Sequence, residues 1–139
     1  MTTSIMATNA RPVFAFAARV ANAPEWGETI YNTTTAGRAK REHQLSVGDA
    51  WPDVKFTDIR VRKLGAPHTS AEFRRNAHYR GLAQVRCGQR VELPLSQGGS
   101  AFGTIVGHNG SANFEVLFDE DSALAGRTGN VHPEELRIL

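Results

Sequence analysis

The sequence predicts an α+β fold: an N-terminal basic helical segment with a short strand, followed by a small five-stranded β-barrel. Three observations carry this. Between Gly88 and Leu139, short apolar runs alternate with turn residues, the pattern of short strands joined by tight connections. Upstream, residues 36–50 and 70–79 place hydroxyl-bearing residues ahead of apolar positions at helical spacing. Charge also divides along the chain. Residues 1–90 hold fourteen Lys and Arg against seven Asp and Glu, and residues 91–139 hold two against seven, so the net +2 conceals a basic front and an acidic end. The organisation read from this is an N-terminal segment over 1–32, partly flexible, a basic α+β region over 33–86 and the barrel over 87–139.

Taken in order, Met1–Ala10 is small and polar without periodicity, as fraying termini are. Pro12–Ala23 is apolar and alanine-rich, and fits either a helix through Phe14, Ala17, Ala18 and Ala21 or a strand through Val13 and Ala15. Glu25–Asn32 is a connector containing Trp26 and Tyr31. Thr33–Thr35 offers hydroxyls to cap a helix over 36–50, with Ala36, Ala39, His43, Val47 and Ala50 on one face. Trp51-Pro52 ends it, since proline cannot continue a helix, and Trp51 is expected in the core. In Lys55–Leu64, Ile59 and Val61 alternate with Asp58, Arg60 and Arg62, a half-buried strand with a basic outer face. Thr69-Ser70-Ala71-Glu72 has capping-box spacing and predicts a helix over 70–79 that buries Phe73 and Ala77, with Gly81 as its terminator.

In the barrel, strands are read at Val91–Leu93, Phe102–Val106, Asn113–Phe118, Thr128–His132 and Arg137–Leu139. Asn109-Gly110 marks a hairpin, because tight hairpin turns need positive φ at their central residues. Asp119–Asp121 is read as a solvated acidic loop, and Pro133–Leu136 as a single helical turn.

Strand count, loop order and the Gly103-Thr104-Ile105-Val106 element make Gly88–Leu139 resemble the small SH3-like barrels of the KOW and Tudor kind, a likeness of fold over the last third of the chain. The stretches GTIVGHNGSANFEVLF and NVHPEEL are similar to small uncharacterised proteins of bacteriophages and prophages. That resemblance implies a mobile-element setting and nothing about activity, while the absence of a possible internal disulfide leads us to expect a reducing compartment, read as the host-cell cytoplasm.

No enzyme is read here. Cys87 and Ser111 lack a persuasive base, no phosphate-binding glycine motif is present, and the acidic trio lacks the spacing of a calcium loop. No cofactor or metal is expected, and the longest apolar run, Val13–Ala18, is too short to cross a bilayer. The single cysteine excludes an internal disulfide. Two sites stand out. Arg38, Lys40, Arg41, Arg60, Arg62, Lys63, Arg74, Arg75 and Arg80 could neutralise phosphates if gathered on one face. His108, Asn113 and His132 would share an outer surface if Ile105, Phe114, Val116 and Val131 point inward, with His108 opposite Asn113. The function expected is a non-enzymatic accessory protein binding nucleic acid through its phosphates. The alternative is a protein-interaction module or inhibitor of a host complex, with a virion role third. Partners are thus nucleic acid or a host protein, with no membrane and no small-molecule substrate.

Overall fold

The computed structural model describes residues 11–139 except Ala123 and Ala125. They fall into two compact units, Val13–His68 and Thr69–Leu139, the latter including Arg11 and Pro12.

In Val13–His68 the ambiguous apolar run is a strand. β1 (Phe14–Val20) is the centre of a three-stranded antiparallel sheet, between β2 (Thr29–Thr33) and β3 (Ile59–Gly65). A central strand buried on both sides needs continuous apolar residues in place of alternation, and Ala15, Phe16, Ala17, Ala18 and Val20 are all buried. The basic helical segment expected at the front is therefore mainly sheet, carrying one helix, α1 (Ala36–Gly48), against its strands. The Thr35 hydroxyl caps α1 by accepting from the Arg38 N–H at 3.2 Å. Ala39 and His43 face inward. The Tyr31 hydroxyl and Nδ1 of the His43 ring share a hydrogen bond of 2.9 Å. Burial holds that imidazole below the usual histidine range and pushes the Tyr31 phenol up. The core cluster is aliphatic, with Ala18, Val20, Ala23 and Ile59 buried and Tyr31, Val47, Val54 and Val61 packed against it.

In Thr69–Leu139 the expected elements form, but the expected barrel does not. α2 (Ala71–Tyr79) precedes β4 (Arg90–Pro94), β5 (Ser100–His108), β6 (Phe114–Phe118), β7 (Thr128–Val131) and β8 (Arg137–Ile138), with a 3-10 turn at Pro133–Glu135. The antiparallel sheet runs β7-β6-β5-β4-β8 and stays open: β7 bonds only to β6, and β8 only to β4. Closure needs a ladder between the edge strands. Here one edge is a two-residue strand, with pairings at Val91 to Ile138 and Glu92 to Arg137, and no ladder joins it to β7.

The capping residue of α2 also differs from expectation. Ser70 accepts from the Phe73 N–H at 3.0 Å, while the Thr69 hydroxyl accepts from the Cys87 N–H at 3.1 Å. Phe73 and Ala77 bury against Val91, Ile105, Phe114, Val116, Phe118, Val131 and Cys87. Phe73 stacks on Phe114 with ring centroids 5.4 Å apart. Gly103 lets β5 and β6 close up: a Cβ there would lie 2.6 Å from Val116 Cγ1 and 2.8 Å from the Leu117 carbonyl oxygen.

The loop read as solvated is anchored at its first residue. Asp119, with its side chain 8% exposed, takes both arms of the Arg90 guanidinium at 2.7 and 2.6 Å, and Arg90 also donates to the Thr104 hydroxyl. Such a two-pronged ion pair is geometrically selective as well as strong.

Candidate functional site

The nine basic residues divide between the units, and several are already engaged. On β3, Arg60 stands directly across from Arg19. Its guanidinium folds back onto the Thr57 and Ile59 carbonyls, which relieves a like-charge cross-strand pair. Arg62 is bidentate to Glu28 at 3.0 and 2.9 Å, which holds the Glu28 carboxyl below its ordinary range and raises Arg62. Lys63 sits over the Phe14 ring at 3.6 Å and Lys40 over Phe56 at 4.7 Å. Arg38 is half-buried on the first turn of α1. Arg41 on α1, and Arg74 and Arg75 on α2, are exposed and have no carboxylate partner among the described residues.

Arg80, just past α2, clamps the β5–β6 hairpin. It donates to the Ser111 carbonyl (2.9 Å), the Ala112 carbonyl (3.2 Å) and Asn113 Oδ1 (3.3 Å), and its third nitrogen lies 3.2 Å from His132 Nε2. Asn113 and His132 thus meet through Arg80. His132 also accepts the Glu134 N–H at Nδ1. A neutral imidazole has one acceptor nitrogen, so its two N–H neighbours compete for it.

His108 does not join that surface. The β5–β6 pairing slips between Ile105 and Gly107, where Val106 is the extra residue, so His108 pairs with Phe114 and not with Asn113. One inserted residue reverses which way later side chains point. The His108 ring accordingly meets Phe73 edge-on, and Nδ1 accepts from Asn76 at 2.8 Å. The positive φ of the loop falls at Ala112 (59°) and not at Gly110, so Asn109-Gly110 is the start of a longer loop held by Asn109 Oδ1. Beside His108, burial pushes the Glu115 carboxyl up, against a smaller opposing pull from that histidine. Each polar group here satisfies another within the fold, so the cluster reads as structural.

A surface with room for a ligand lies at one end of the Val13–His68 sheet, where three turns converge. After β1, the Ala21 N–H donates to the Asp58 carbonyl at 2.8 Å. Pro24, which lacks an N–H, starts the turn Pro24–Trp26, and Gly27 leaves it at φ 71°. At the end of α1, the Trp51 N–H still reaches the Val47 carbonyl at 2.9 Å, and Pro52 stops further winding. The third turn, Phe56–Asp58, is capped by Asp58 Oδ2 accepting from the Lys55 N–H. Trp26 and Trp51 stack with centroids 4.9 Å apart and planes 28° apart, yet are 42% and 52% exposed. They line an open cavity of about 470 Å³ with Glu25, Asp53 and Asp58, and no Lys or Arg lines it.

Sequence reasoning assigned Trp26 to a connector and Trp51 to the core, and missed this site. The signal it held was a pair of triplets of like composition, Pro24-Glu25-Trp26 and Trp51-Pro52-Asp53, each putting an indole, a proline and an acid at an element end.

Among the described residues, no group of three or more His, Cys, Asp or Glu could hold a metal ion, and no helix is long and apolar enough to cross a membrane. Comparison of the chain with protein-family models, curated proteins and solved structures finds no match.

Proposed function

We propose that this chain is a non-enzymatic protein-interaction module that docks a partner protein on the Trp26–Trp51 cavity. The observation that carries the reading is the stacked tryptophan pair left in solvent at the rim of an open cavity. Tryptophan, with tyrosine and arginine, is enriched among the few interface residues that carry most of the binding energy. The choice of a host-cell protein as the partner follows the expectation of a mobile-element setting read from residues 103–118 and 130–136. Capture from nuclease-treated host lysate, with the wild type beside a Trp26→Ala/Trp51→Ala variant, tests this. A stoichiometric partner retained by the wild type and lost by a folded variant is the expected result. Equal retention by both overturns it.

A second reading, binding to nucleic-acid phosphates, is supported by the exposed Arg41, Arg74 and Arg75. It requires affinity for a mixed-sequence duplex or single strand to fall steeply between low and moderate salt, because bound counterions are released on association. A flat salt response removes it.

A further inference from the structure

We infer that the Trp26–Trp51 cavity takes the guanidinium group of an arginine side chain on the partner. This deepens the docking reading above and rests on it.

Charge selects the sign of the ligand. Three carboxylates and no cationic side chain line the cavity, so a phosphate or carboxylate group meets repulsion and a cation attraction. Asp58 is tied as the cap of its own turn and acts as a fixed negative charge. Glu25 and Asp53 are exposed and make no ion pair among the described residues, so they remain available to a ligand.

Ring geometry selects the shape. A quaternary ammonium is held best inside a cage of aromatic faces. Two indoles only 28° from parallel and 4.9 Å apart stack on each other, so they offer a flat outer face and not a cage. A planar, weakly hydrated guanidinium stacks on such a face while its N–H fork reaches carboxylates at the rim. A lysine ammonium cannot stack, and it gives up more hydration on entering. Glu25 is the neighbour of Trp26, and Asp53 follows Trp51 by two residues, so an acid stands beside each indole.

The test uses the full chain and three short capped peptides, Gly-Arg-Gly, Gly-Lys-Gly and Gly-citrulline-Gly, followed by tryptophan fluorescence and the two indole N–H resonances. The expected result is saturable binding of the arginine peptide with shifts of both indoles. Binding should be at least about tenfold weaker for citrulline, which keeps the shape and loses the charge, and several-fold weaker for lysine. Glu25→Gln and Asp53→Asn, exposed substitutions that keep side-chain size, should each weaken the arginine peptide several-fold without altering the circular dichroism spectrum. Equal binding of citrulline or of lysine overturns the inference, as does the absence of indole shifts with arginine. If the arginine peptide fails while the double tryptophan variant still loses its partner in capture, docking stands and only the arginine assignment falls. If that variant keeps its partner, the docking reading falls with it.

Discussion

In Thr69–Leu139, Phe73, Phe114 and Phe118 are packed inside a sheet-and-helix core that also holds Ile105, Val91 and Val116. In Val13–His68, Phe16 is buried, but Trp26, Trp51 and Phe56 stand in solvent above a core of Ala18, Val20, Ala23 and Ile59. That core is aliphatic and closed, as interiors filled to near crystal density are. The two tryptophans lie outside it, stacked on each other for partial cover. One unit uses aromatic surface for stability; the other leaves it accessible to solvent.

The sharpest way to break this contrast is Phe73→Ala, expected to cost about 3–5 kcal/mol as a large cavity in the Thr69–Leu139 core. Urea unfolding followed by circular dichroism checks it. Because both tryptophans of the chain lie in Val13–His68, fluorescence reports on that unit, and a fluorescence midpoint that shifts in step would erase the distinction between the units. Next in size is Asp119→Ala, which strands Arg90. A fully buried pair costs about 3–5 kcal/mol when halved, and with Arg90 a quarter exposed the expected loss is about 2–3 kcal/mol by the same urea measurement.

Acid should push the two units in opposite directions. His43 is held below its ordinary value in the fold, so the unfolded chain takes the proton first. Its contribution is complete above about pH 6.5 and is lost as pH falls from there towards the folded value. Glu115 is raised by burial, so the folded state holds its proton more tightly. Its contribution is present in acid and is lost as pH rises through the folded value. Denaturant curves from pH 7.5 to pH 4.5 should show the acid loss in fluorescence. That loss should vanish in His43→Gln, and Glu115→Gln should leave the Thr69–Leu139 unit more stable at neutral pH. Parallel shifts in both units would sink the assignment. The smallest effect is expected from Trp51→Ala, about 1 kcal/mol or less, the worth of an exposed aromatic pair. That small cost should accompany complete loss of partner capture, separating interface from core.

Much of the fold was legible because its signals are local. Thr35 caps α1 within a few residues, Gly81 ends α2 at φ 76°, and the strands of Gly88–Leu139 lie between turn residues, though the cap of α2 falls on Ser70 and not on Thr69. What failed depends on register and closure. The extra residue at Val106 turned His108 towards Phe73, and a two-residue β8 left the sheet open, and neither is written in apolar periodicity. The nine cations were legible as charge but not as partners: Glu28 for Arg62 and the hairpin carbonyls for Arg80 are distant in sequence. The tryptophan cavity was hidden for the same reason, since its walls come from separate turns brought together by β1, α1 and β3.

Cys87, the one thiol of the chain, lies in the Thr69–Leu139 core with its N–H tied to Thr69. A thiol so enclosed reacts with an alkylating or chromogenic reagent only when the surrounding structure opens. The natural sequence thus bears one chemical stopwatch, for the opening of a single half of the molecule, and no engineered label is required to read it.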